Sequence, residues 1–201
     1  MSRTSHRPLP QGRVSRNQAL IWGLFLGFLG IGLLLVYVNL LTAVLTFFSL
    51  IGYAVFYTMY LKRATPQNIV IGGAAGAAPP VLGWTSVAGL QGIEYALLLF
   101  LIVFIWTPPH FWALAIYRRN EYAAAKIPML PLVSGIKITK INIFVYALLL
   151  FVISVAPYFL GYFGLTYLIF SIFLGFYYVY LCFELMINPE KEKIIAKKII
   201  I

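Results

Sequence analysis

Residues 17–38, NQALIWGLFLGFLGIGLLLVYV, contain no charged side chain and are long enough to cross the hydrocarbon core of a bilayer. Comparable apolar runs return along the chain, and they constrain the fold more than any other feature. We place six membrane segments at 19–38, 41–60, 69–87, 93–116, 143–163 and 165–186. The expected fold is all-α, a polytopic membrane helical bundle. Composition agrees: 62% of residues are apolar, 10% are charged and mean hydropathy is +0.93, values that a soluble domain rarely approaches.

The third segment reads differently from the rest. Its IGGAAGAAPP holds three glycines and the pair Pro79–Pro80, so a broken helix is expected. Irregular backbone at membrane depth needs protein or a water-filled cavity beside it, whereas small residues also serve simple close packing. Cys182, the single cysteine, lies inside an apolar run and reads as a small packing residue. No cleavable leader is expected, because no short apolar core ends in a small-residue site; Pro8 and Pro10 would break a presequence helix.

The net charge of +10 suggests nucleic acid only if it is gathered on one soluble face. Here the fifteen Lys and Arg residues lie before span one, between spans two and three, between four and five, and after six. With six spans all of them fall on one side, so the bias of basic loops puts both termini in the cytoplasm. No nucleic-acid partner is expected; the partner is the lipid bilayer.

Three features on that side could carry chemistry. The opening RTSHRPLPQG presents Arg3, Thr4, His6 and Arg7, whose guanidinium groups suit phosphate or carboxylate oxygens and equally suit lipid headgroups. WTPPHFW, 106–112, sets His110 after two prolines that would kink the helix and aim it into a cavity. Its Trp106, Phe111 and Trp112 fit either a flat apolar ligand or an interfacial aromatic belt. The long connection 117–142 offers Tyr117, Arg118, Arg119, Glu121 and Tyr122 and a proline-fixed exit, either as a site or as a solvated charged loop. Together they describe a cavity that is cationic at its mouth and aromatic within, suited to an anionic amphiphile. The chain has no aspartate, and its five acids are all glutamate.

RTSHRPLPQGRVS, IGGAAGAAPPVLGW, FIWTPPHFWALAIYR and EYAAAKIPMLPLV, in this order, resemble the protoheme IX farnesyltransferase (haem O synthase) group of the UbiA-type intramembrane prenyltransferases. The resemblance covers nearly the whole chain and makes residues 1–201 one partial domain of that kind. It implies transfer of a farnesyl group from farnesyl diphosphate to a vinyl group of haem b, with Mg²⁺ as cofactor, in a bacterial-type inner membrane. A haem A synthase or a terminal-oxidase assembly factor would be the downstream partner.

Carried over by residue, Arg3, Thr4 and Arg7 match the segment following the family's first acidic motif. His110 matches a histidine at the haem or its vinyl group. Glu121 matches the metal-binding carboxylate of the second motif, where aspartate is usual. Arg118 and Arg119 would face diphosphate or haem propionates, with Tyr117 and Tyr122 beside them. The family's first motif, an Asn-Asp…Asp run, would lie ahead of residue 1, and NPEKEKIIAKKIII resembles the lead-in to a final helix. The chain therefore reads as an interior portion of a longer enzyme, with Glu190 and Glu192 in a frayed tail and Glu121 the one carboxylate near the arginines.

A transporter or binding scaffold for an anionic amphiphile is the alternative, although no repeated halves are visible; an inert fragment is a third reading. The expectation is that this chain alone forms little or no haem O. Reconstitution with haem b, farnesyl diphosphate and Mg²⁺, followed by mass spectrometry, tests it, and clear turnover would defeat it.

Overall fold

The computed structural model describes residues 5–200. Among these residues its secondary structure is helical, without strands, and several helices begin where the sequence offers a cap or a proline. Helix α1 (Arg16–Tyr37) starts with a reciprocal box: Gln18 N donates to Ser15 Oγ at 3.2 Å, and Ser15 N donates to Gln18 Oε1 at 2.9 Å. Helix α2 (Leu40–Ile51) is capped by Asn39, whose Oδ1 accepts from Thr42 N at 2.8 Å. The chain then widens into a π-helical stretch, Gly52–Leu61, and closes as α3 (Lys62–Ala64). Within the π stretch Thr58 Oγ1 donates five residues back to Tyr53 O at 2.8 Å, repeating in a side chain the wider spacing of the backbone.

Helices α4 (Asn68–Ala77) and α5 (Pro79–Ala88) replace the expected third span. Pro79 and Pro80 have no N–H to continue the ladder of α4, so they open a new helix instead. Neither piece alone is long enough to cross a membrane. Among the described residues five helices are, namely Arg16–Tyr37, Leu40–Ala64, Ile93–Tyr117, Ile136–Phe159 and Leu165–Ile187, rather than six. The two short helices nevertheless accompany the second span along its length. At one end Asn39 Nδ2 donates to Thr85 O and Thr42 Oγ1 to Thr85 Oγ1, both at 2.9 Å. At the other end Gly72 lies under the Tyr57 ring, where a Cβ would stand 2.5 Å from it.

Helix α6 (Ile93–Tyr117) passes through Pro108 and Pro109 without leaving helical geometry. Short α7 (Arg119–Ala124) and α8 (Leu130–Val133) follow, then α9 (Gly135–Phe159), α10 (Leu165–Ile187) and, after a 3₁₀ turn, α11 (Glu192–Ile200). Helix α9 starts eight residues before the expected 143. Lys137 and Lys140 belong to its first turns, and Lys140 is buried there because Glu192 neutralises it at 2.8 Å.

The expected frayed tail is corrected by the same contact. Ile195, Ala196 and Ile199 of α11 are buried in the main core with Trp112 and Ile116 of α6, Ile143 and Ala147 of α9, and Leu181 and Leu185 of α10. Cys182 sits in this cluster with no exposed surface, as the packing reading anticipates. At the far rim Trp84 Nε1 donates to Gln91 O at 2.8 Å, and Trp84, Tyr95 and Tyr162 form a ring-to-ring chain.

The Asn39 contact gives a direct measure of how firmly the broken helix is held. Asn39→Ala loses both a cap and a donor to the Thr85 carbonyl, so its stability should fall by about 1–2 kcal/mol. Asn39→Asp keeps the cap and should lose roughly half as much. Thermal unfolding in a fixed detergent reads the difference.

Candidate functional site

Helix α6 ends at Tyr117, and the chain turns at once into α7, so the residues of the turn crowd around the end of one long rigid helix. Ile127, Met129 and Leu132 then fold back on Ile69, Ala115 and Tyr122, which anchors the loop. Lys126, at φ 52°, is the one positive-φ non-glycine residue among those described, and it makes the return possible. The proline-fixed exit of the sequence is thus a packing device: Met129, Leu130 and Pro131 are buried.

A cavity of about 280 Å³ opens at this turn. It is lined by Tyr117, Arg118, Arg119, Asn120 and Glu121, with Ile116 and Ile136 beneath, and by Glu192 and Lys193 from α11. Four of the expected site residues (Tyr117, Arg118, Arg119 and Glu121) therefore meet in one place. Glu192 and Lys193 are additions that sequence reasoning missed. Their signal was the apolar pair spacing of Ile195, Ala196 and Ile199, which fastens one face of α11 to the core.

The remaining expectations divide. Arg3 and Thr4 lie outside the described residues. Arg7 is exposed in a compact turn, where its carbonyl accepts from Gln11 N at 3.1 Å, and it is not a wall of the cavity. Tyr122 turns away from the cavity into the Ile69–Ala115–Met129 cluster and has Tyr57 as an electrostatic neighbour.

His110 lines neither this cavity nor the apolar one described next. It stacks on Trp106, with ring centroids 4.3 Å apart at 30°, and meets Phe111 edge-on at 5.2 Å. Its Nδ1 is buried without a hydrogen-bond partner. Trp112, grouped with these aromatics in the sequence, belongs to the core at 1% exposure, whereas Trp106 and Phe111 remain exposed on the membrane face.

A second cavity, about 350 Å³ and walled largely by carbon, lies between α6, α9 and α10. Trp106, Val103, Phe151, Leu174, Gly175 and Tyr178 line it, and the buried Tyr178 hydroxyl has no hydrogen-bond partner. Val103, Trp106, His110 and Tyr117 recur at intervals of three, four and seven, so they share one face of α6. At about 1.5 Å per residue, His110 stands roughly 6 Å beyond Trp106 and roughly 10 Å short of Tyr117 along the axis. The helix thus connects an apolar space to a cationic one, with the histidine between them.

The lining does not by itself suit Mg²⁺. Of the polar cavity's two carboxylates Glu192 is committed to Lys140, and three cations share the space. Among the described residues no three His, Cys, Asp or Glu side chains gather as a metal-binding group. The donor set fits an anion with several oxygens, which forked guanidinium groups bind in pairs.

Comparison with known proteins places the chain among named relatives. The chain is 62% identical over 196 residues to "Protoheme IX farnesyltransferase" of Vesicomyosocius okutanii, an alignment that takes in 98% of this chain and 66% of the relative. It is 61% identical to the protein of that name from Ruthia magnifica, covering 96% of the chain and 65% of the relative. The protein of that name from Methylococcus capsulatus is 55% identical, over 92% of the chain and 62% of its own length. The chain thus spans just under two thirds of the length of these relatives. No solved structure matches it. The family described as UbiA prenyltransferase matches residues 1–200, and the chain belongs to that family.

Proposed function

We propose that this chain carries the diphosphate-binding and haem-facing part of a haem O-forming prenyltransferase, which moves farnesyl from farnesyl diphosphate to a vinyl group of haem b. The observation that supports this most directly is the convergence of Arg118, Arg119 and Lys193 on one cavity at the end of α6. That same helix carries Trp106, on which His110 stacks, into the wall of an apolar space. Relatives bearing the farnesyltransferase name support it further, and none of those named above supports the transporter reading. In this proposal the cationic cavity and both termini face the cytoplasm of a bacterial-type cell. A haem A synthase or an oxidase assembly factor would receive the product.

The chemistry follows from charge separation. Ionising an allylic diphosphate puts negative charge on the leaving group and positive charge on carbon. Arg118, Arg119 and Lys193 bind the departing diphosphate, the arginines through forked contacts and the lysine as a point charge, and each contact strengthens as charge develops. The carbon-lined space beside Trp106 keeps water from the carbocation. His110 sits between the two spaces and contacts the haem edge. Mg²⁺ is a family-level expectation for which Glu121 would be this chain's contribution. The described residues do not complete a magnesium site, so the steps above run through the cations alone.

Binding separates these roles without requiring turnover. Arg118→Gln together with Arg119→Gln should weaken farnesyl diphosphate binding about 10- to 100-fold while leaving farnesol binding unchanged. Equal effects on both ligands would remove the diphosphate assignment. His110→Ala should weaken haem b binding about tenfold or more, followed by the haem absorption band in lipid nanodiscs. An unchanged titration would remove His110 from the haem site.

A further inference from the structure

The cationic cavity contains a charge problem that its lining alone does not solve. Arg118, Arg119 and Lys193 face Glu121 and Glu192. Left to themselves, these five groups keep one positive charge in excess, while the two carboxylates offer the oxygen donors that a divalent cation takes. Lys140 changes that balance from behind the wall. It is not a lining residue; its side chain is 7% exposed, and its Nζ lies 2.8 Å from Glu192 Oε2.

An ammonium so deep in a bundle needs a partner. The partner it takes is the second carboxylate of the cavity. With Glu192 occupied, the cavity sets three cations against Glu121 alone. Arg118 Nε is also buried there without a hydrogen-bond partner, so part of that guanidinium's donor capacity is unspent.

We propose that Lys140 is the specificity-determining residue of this cavity: by holding Glu192 it makes the site accept a diphosphate-type anion instead of a divalent cation. The inference rests on the diphosphate reading above and adds the residue that withdraws the second carboxylate and so raises the cavity's positive charge. Lys140 touches no substrate and acts through Glu192.

The test uses the whole chain in zwitterionic nanodiscs with two probes: inorganic diphosphate by calorimetry, and Mn²⁺ by electron paramagnetic resonance. Lys140→Met should lose diphosphate affinity on the order of tenfold, the effect of one unit charge at about 10 Å and an effective dielectric near 20. The same variant should gain Mn²⁺ binding that the parent lacks, a change that a merely structural lysine would not cause. Lys140→Arg should behave as the parent does. Should Lys140→Met fail to fold, Glu192→Gln answers in the opposite direction, with tighter diphosphate binding and no Mn²⁺.

Diphosphate affinity lost without a gain of Mn²⁺, or weakened by Glu192→Gln, overturns the role of Lys140 and leaves the diphosphate reading standing. A parent chain blind to diphosphate, with Lys140→Met still gaining Mn²⁺, overturns the diphosphate reading and leaves the charge-setting role in place.

Discussion

Inside a membrane, lipid tails are as apolar as leucine, so helices associate through close contact rather than through escape from water. Helix α6 provides the surface for that contact. Helices α4, α5, α8, α9 and α11 all pack on it. Small residues bring the neighbours near: a Cβ on Gly73 of α4 would stand 3.0 Å from the Thr107 methyl of α6, and Ala113 and Ala115 are fully buried. Both cavities lie along this one helix, which fixes their separation. Helix α1 is the contrasting case, since it packs on α2 and buries none of its own residues.

Much of this was legible in the sequence because the dominant rule is simple. Most apolar runs of bilayer length became helices within a few residues of their expected limits, from Leu165 to Ile187 for example, with α9 the exception. The Gly-rich, Pro-interrupted segment broke where its prolines said it would, between α4 and α5. What stayed hidden was charge inside helices. Lys140 looked like a loop residue because an isolated buried ammonium is so costly, and nothing local revealed that Glu192 would neutralise it. For the same reason α11 read as tail: its charged residues masked the apolar face formed by Ile195, Ala196 and Ile199.

The site shows the same division between local and long-range information. Arg118, Arg119 and Glu121 are neighbours in the chain, so the sequence could group them. Which tyrosine lines the cavity could not be settled that way. Tyr117 lines the cavity, while Tyr122, one turn later, is held by Ile69 and Met129 from other parts of the chain. His110 was singled out as an ionisable group in an apolar helix, yet its setting on Trp106, between two spaces of opposite character, depends on the register of a helix that its prolines do not interrupt.

The joining of Lys140 to Glu192 also has a consequence in time. A chain is made from its beginning, and α9 with its lysine emerges well before α11. Until the later helix arrives, Lys140 must stay at the water-facing boundary, as a long side chain can when it snorkels. The pairing of Lys140 with Glu192 is therefore a later event in synthesis than the emergence of α9. Glu192 both neutralises Lys140 and, with Lys193, adds the side of the cavity that α11 contributes. Arrest of synthesis between the two helices would leave the arginines in place but the cavity open on one side.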